Sequence, residues 1–276
     1  MPRRALGPLG VVLAILLVAA SVEAQFGYFR EGRTPPRYPP SRMPDGNFTV
    51  CRLQYNSVRA EAMGMGWRTD YPYAETNFMT RLSELTRTPI SQNVEGDPNT
   101  YVVRLTDNEL FNCPFTVASD VGTIGLKPEE IDRLRAYLLK GGFLWVDDFW
   151  GPLAWDQWQQ EISKVLPPSQ YPITDVPLND PMFRSLYTVA KIPQITNIQF
   201  WRGVGGSTTS ERGSDSIDAH FRVIRDAHDR IMLVMTHNTD VADSWEREGE
   251  DPGFFYQFSP NGYALGIDVL LHAMTH

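Results

Sequence analysis

Residues 143–146, Phe-Leu-Trp-Val, form an apolar run with no polar break, and it ends in two carboxylates, Asp147 and Asp148. A strand apolar at every position belongs inside a sheet that is covered on both faces, as parallel sheets are. Strand-like runs also occur at 48–55 (FTVCRLQY), 101–105 (YVVRL) and 114–119 (PFTVAS). Late in the chain, FRVIRD and RIMLVMTHN read as two strands joined by a tight turn at Ala227-His228-Asp229. Helical spacing runs between the strands. Ala74, Phe78, Leu82 and Leu85 recur on one face until Pro89 stops the helix. Pro128 opens a second helix, with Glu129 and Glu130 at the positive end of its dipole and Gly141 closing it. Its stripe is Ile131, Leu134, Leu138 and Leu139. A third helix is expected over about 153–165, ended by Pro167-Pro168, and a last one over about 263–274. The alternation of strands and helices predicts an α/β layered domain. Residues 166–216 are less regular, and 203–216 (GVGGSTTSERGSDS) reads as a flexible loop.

The ends of the chain change this picture. Arg3 and Arg4, the apolar stretch 11–20 and the small residues of Val22-Glu23-Ala24 have the order of a secretory signal peptide over residues 1–24. The apolar core is short for a span, which needs about 20 residues. Export to the periplasm or medium is expected, with no stable membrane span after cleavage. Residues 25–46, rich in proline and arginine, read as an extended, mobile linker. The folded domain is then 47–276. The full chain has a formal charge of −8, and loss of Arg3, Arg4 and Glu23 leaves it one unit more negative. Such a chain has no electrostatic reason to bind nucleic acid or anionic lipid. Two cysteines, Cys51 and Cys113, make no disulfide framework. The expectation is two buried thiols, with a single bridge left open by the exported location.

Several separated motifs carry a resemblance. They are Trp67 with Asp70-Tyr71, then NELFNCPF, LKPEEIDRLRAYLLKGGFLWVDD, NDPMFRSLY, MTHNTDVADSWE and ALGIDVLLHAMT. In that order, over about residues 47–276, the chain resembles the domain-of-unknown-function 4159 family. That family is similar in fold to class I glutamine amidotransferases. The resemblance implies a flavodoxin-like, doubly wound, mostly parallel sheet with helices on both faces, here with a late antiparallel strand pair. It implies no activity. Amidotransferases of this class use a cysteine on a strand-to-helix turn; Cys51 lies within a strand and Cys113 just before one, so cysteine-dependent chemistry is not expected.

Open α/β sheets bind ligands outside the carboxyl ends of their strands. The fourth strand brings Asp147 and Asp148 there. Alternation sends the two to opposite sides, so one is expected to face a cleft. His237, Asn238 and Asp240 follow the buried run 231–235 and reach the same edge as base, orienter or ligand. Asp70 and Tyr71 come from the loop after the first strand, with Trp67 and Tyr73 read as packing and Asp120 as a weaker fourth member. Each group also has a structural reading as a cap, a turn or an ion pair. No H-E-x-x-H, G-x-S-x-G or Walker loop occurs, and no cofactor or metal is assigned. The leading reading is an exported domain that binds a small polar molecule or an envelope partner at this edge. The alternatives are a hydrolase with an Asp/His pair, metal-assisted through Asp147 or Asp148 with His237, and an envelope assembly protein that docks through the 203–216 loop.

Overall fold

The computed structural model describes residues 34–276. The signal peptide expected over 1–24 and the start of the linker lie outside the described residues. Seven strands form one sheet. The first three in the chain are β1 (Cys51–Gln54), β3 (Tyr101–Arg104) and β4 (Phe115–Ser119). The others are β6 (Phe143–Asp147), β7 (Ile173–Asp175), β8 (His220–Arg225) and β9 (Ile231–His237). Their spatial order is β3-β1-β4-β6-β9-β8-β7. The first five run parallel, and β8 pairs antiparallel with both β9 and β7. The five parallel strands therefore follow the 2-1-3-4-5 order of flavodoxin-like doubly wound sheets. Two short strands, β2 (Asn56–Ser57) and β5 (Ile124–Gly125), pair separately over the carboxyl edge of β1 and β4.

The helices are α1 (Tyr73–Leu85), α2 (Pro128–Leu139), α3 (Gly151–Val165), α4 (Ile198–Gly203), α5 (Asp243–Glu246) and α6 (Pro252–Thr275). β6 shows why both faces must be covered. Phe143 and Trp145 pack with Phe78, Met79 and Leu82 of α1 and Leu265 and Val269 of α6. Leu144 and Val146 pack on the other face with Leu134 and Leu138 of α2 and Trp158 and Ile162 of α3. Each large apolar side chain buried in this way contributes roughly 1.5–3 kcal/mol.

α6 starts at Pro252, eleven residues before the expected start at Tyr263. Pro260-Asn261-Gly262 reads as a helix breaker in sequence, yet it lies inside the helix. The Asp251 carboxylate caps the true start by accepting from the Gly253 and Phe254 amides, at 2.7 and 3.1 Å. Gly262 has a packing reason to be there: a Cβ at this position would lie 1.9 Å from Ser244 Oγ. The stretch 36–46, inside the expected linker, has no helix or strand but is held on the β3 edge. The Val102 amide donates to the Arg37 carbonyl at 2.8 Å, and the Arg37 guanidinium donates to Asn99 at 2.7 Å.

The cysteines are not free thiols as expected. Cys51 and Cys113 are joined in a disulfide with a Cα–Cα distance of 5.9 Å. Cys51 opens β1 and Cys113 precedes β4, and these two strands are neighbours in the sheet. The adjacency becomes visible only with the strand order. The bridge sits at the amino edge of the sheet, opposite Asp147 and Asp148.

Candidate functional site

The carboxyl edge is built from the middle of the sheet outward. Arg52 on β1 is fully buried and forms an ion pair with Glu75 of α1. Its guanidinium also donates to the Thr69 carbonyl at 2.6 Å. This fixes the loop between β1 and α1, and with it Asp70, whose backbone is left-handed at φ 67°. Asp70 Oδ2 accepts from Ser119 Oγ, at the end of β4, at 2.5 Å.

Three more loops bring carboxylates to the same edge. Asp120, after β4, has φ 54° and accepts from the Gly66 amide at 2.8 Å. Asp148, after β6, has φ 52°, and its Oδ1 accepts from Trp150 Nε1 at 2.9 Å. Asp240, after β9, accepts from the Asp243 amide through Oδ1 at 2.9 Å, while its Oδ2 is buried with no hydrogen-bond partner. One oxygen from each of Asp70, Asp148 and Asp240 lies within 4.8 Å of the others. All three residues are at least nine-tenths buried.

The electrostatics follow from this burial. Asp148 and Asp240 are pushed well above the usual carboxylate range, first by burial and then by each other's neighbours, Asp70 among them. Burial raises Asp120 to about 7, although the Gly66 amide opposes the shift. Asp147 also rises to about 7 through burial, with hydrogen bonds from Thr236 and Ala242 working against it. Burial raises Asp243 to about 8, against the pull of Arg247. A narrow crevice of about 10 Å³, room for about one water, reaches Asp120 and Asp148 and is also lined by Glu61, Trp150, Glu211 and Arg212. A larger cavity of about 510 Å³ opens at the amino edge, walled by Phe48, Phe115, Phe143 and Leu270. Its Arg230 is committed to Asp226 and to the end of α2.

A family model described as "Domain of unknown function (DUF4159)" matches residues 49–274, which takes in all the strands and every carboxylate above. The chain belongs to the DUF4159 family. No curated protein matches it.

Of the residues singled out from sequence, the DUF4159 domain brings Asp70, Asp148 and Asp240 together. Asp147 lies beside them but is used inside the fold: its Oδ1 accepts from Thr236 Oγ1 at 2.5 Å and its Oδ2 from the Ala242 amide at 2.8 Å. Tyr71 packs on Trp67, and its hydroxyl accepts from the Arg37 amide at 3.3 Å. His237 is directed elsewhere. Its ring packs against both Phe149 and Trp155, with Nε2 3.2 Å from the Gly151 carbonyl, and burial lowers its pKa to about 4. Asn238 ties the start of α3 to the 218 loop, accepting from the Gly151 amide and donating to the Asp218 carbonyl. Sequence reasoning missed Glu211, whose carboxylate accepts from Thr196 and the Asn197 amide and faces the crevice. It also missed Asp243, Glu246 and the Arg247 that pairs with both. The acid-rich run DSWEREGED was the available signal for these, but its direction along the edge depends on the turn of α5.

Proposed function

We propose that the DUF4159 domain is an exported binding module and that its site is the acidic crevice at the carboxyl edge of the sheet. The ligand is small, polar and positively charged. One observation carries the reading: Asp70, Asp120, Asp148 and Asp240 arrive from four separate loops and are all buried at one edge. Desolvating ionised carboxylates is costly unless a cation or hydrogen bonds offset it. The nearby arginines are already engaged, Arg52 by Glu75, Arg59 by Glu61 and Arg247 by Asp243 and Glu246. A bound cation would balance the remainder.

Binding is favoured over an Asp/His hydrolase because the His237 ring packs on Phe149 and Trp155 and is held at the Gly151 carbonyl, outside the cluster of three converging aspartates. The amidotransferase-like fold implied by the resemblance brings no thiol to the crevice, since both sulfurs are bridged at the opposite edge. The bridge also supports export, because disulfides persist in oxidising compartments. Glu211 and Arg212 make the 203–216 loop a wall of the site, which favours a small ligand there over an outward docking loop.

The test is a thermal-shift screen of the purified protein against amines, polyamines, basic amino acids, sugars and nucleotides. A ligand that binds only the folded state raises the melting temperature. Cationic compounds are expected to stabilise the wild type and to lose that effect in Asp148→Asn, while anionic nucleotides do nothing. The reading fails if no cation shifts the transition, or if Asp148→Asn responds as the wild type does.

A further inference from the structure

We propose that Asp70, Asp148 and Asp240 form a site for one hard divalent cation, Ca²⁺ or Mg²⁺, buried beside the acidic crevice that Asp148 lines. This rests on the reading that the carboxyl edge is the binding site, and it names the positive species that the edge takes. The donor set is all oxygen, the chemistry that selects hard cations over zinc or copper. The three oxygens lie within 4.8 Å of one another, which matches donors sharing one ion at Ca²⁺–oxygen distances of about 2.3–2.6 Å.

An acidic cluster alone would not make a site. The second observation is Asp240 Oδ2, a buried carboxylate oxygen with no hydrogen-bond donor. Its other oxygen is held by the Asp243 amide, so the side chain is fixed with one oxygen unsatisfied. Buried acceptors are ordinarily satisfied, and an exception calls for a water, an ion or a functional role. A cation at the Asp70 and Asp148 oxygens would satisfy it.

A neighbouring set serves as an internal contrast. Asp70, Asp243 and Glu246 also place three oxygens within 4.8 Å. There, however, the Arg247 guanidinium already supplies a positive charge, with Nε 3.4 Å from Asp243 and 2.9 Å from Glu246. Asp148 and Asp240, by contrast, make no ion pair with a lysine or arginine among the described residues. Both sets are all carboxylate and share Asp70, and Arg247 answers the Asp243 and Glu246 side. Asp148 also lines the crevice, which gives the ion a route in from solvent.

Trp150 supplies the readout. Its indole nitrogen donates to Asp148 Oδ1 at 2.9 Å, so an ion on Asp148 lies within a few ångströms of an indole. Tb³⁺, a hard oxygen-seeking probe, should emit when the tryptophans of chelator-stripped protein are excited. Ca²⁺ or Mg²⁺ should displace it, and the displacing ion identifies the preferred one. Asp240→Asn should weaken Tb³⁺ binding by roughly tenfold or more, because it removes ligand charge. The same variant should melt no lower than the metal-free wild type, since it deletes a buried charge, and it should lose the stabilisation by Ca²⁺ or Mg²⁺. Trp150→Phe should dim the emission. The proposal is overturned if wild-type protein gives no sensitised emission and no thermal shift with either metal, or if Asp240→Asn binds as tightly as the wild type. Organic cations that stabilise the protein when Ca²⁺, Mg²⁺ and Tb³⁺ do not would remove the metal site and leave the binding reading standing.

Discussion

Reducing the Cys51–Cys113 bridge should destabilise the domain strongly without touching the carboxylate edge. The two cysteines are 62 residues apart in sequence. Closing a loop of that length removes entropy from the unfolded chain, and the loop-entropy relation gives about 4 kcal/mol at 25 °C. For a domain of this size each kcal/mol moves the melting temperature by about 2–4 °C, so a fall of roughly 10 °C is expected. The comparison is urea and thermal unfolding of the native protein against protein reduced with a phosphine and of a Cys51→Ala/Cys113→Ala variant. Iodoacetamide should label no cysteine in unreduced, denatured protein and two after reduction. Because the bridge lies at the amino edge, ligand binding by the reduced protein that remains folded should match that of the oxidised form. Two alkylated thiols before reduction, or a melting temperature indifferent to reduction, would refute the reasoning.

Glu75→Gln leaves Arg52 charged and buried beneath the sheet edge, and breaking a buried pair from one side should cost about 3–5 kcal/mol in urea unfolding. Asp120 gives a pH prediction: its folded pKa is raised by burial from 3.8 to about 7, so the folded state keeps a proton that the unfolded chain has lost. The stability tied to this group is complete below about pH 4 and is lost as pH rises through 7, by ~4 kcal/mol for a shift of about 3 units. Asp120→Asn should therefore flatten the decline in urea midpoint between pH 5 and 8, and an unchanged slope would count against the shift.

The parallel core was legible because burial on two faces leaves a direct mark: Phe143-Leu144-Trp145-Val146 has no polar position, and β6 is indeed central. α1, α2 and α3 were legible from their stripes and from Pro128. The start of α6 was not, because Pro260 and Gly262 signal a break locally, and the contact that makes Gly262 useful is Ser244, eighteen residues away. At the site, strand ends pointed to Asp70, Asp148 and Asp240. They also pointed to His237, which occupies the last position of β9, where the strand's alternation directs it to the α3 side. Glu211 left no periodic trace, since it reaches the edge from an irregular segment. Arg52 drew no notice in the strand-like run 48–55, because its partner Glu75 comes from α1, 23 residues on.

Asp70, Asp120, Asp148 and Asn238 share a left-handed backbone, with φ between 52° and 67°. Glycine, asparagine and aspartate tolerate that region, whereas β-branched and bulky residues are outliers there. Each of the three aspartates therefore answers to two selections at once, one on shape and one on charge. A saturation library can pull them apart. Sorted for folded protein, positions 70, 120 and 148 should retain Asp, Asn and Gly alike; sorted for ligand capture, the three should diverge, and the positions that contract to Asp alone will mark where the carboxylate itself is required. Position 238, already an amide, is the built-in reference: its tolerated set should be the same in both sorts.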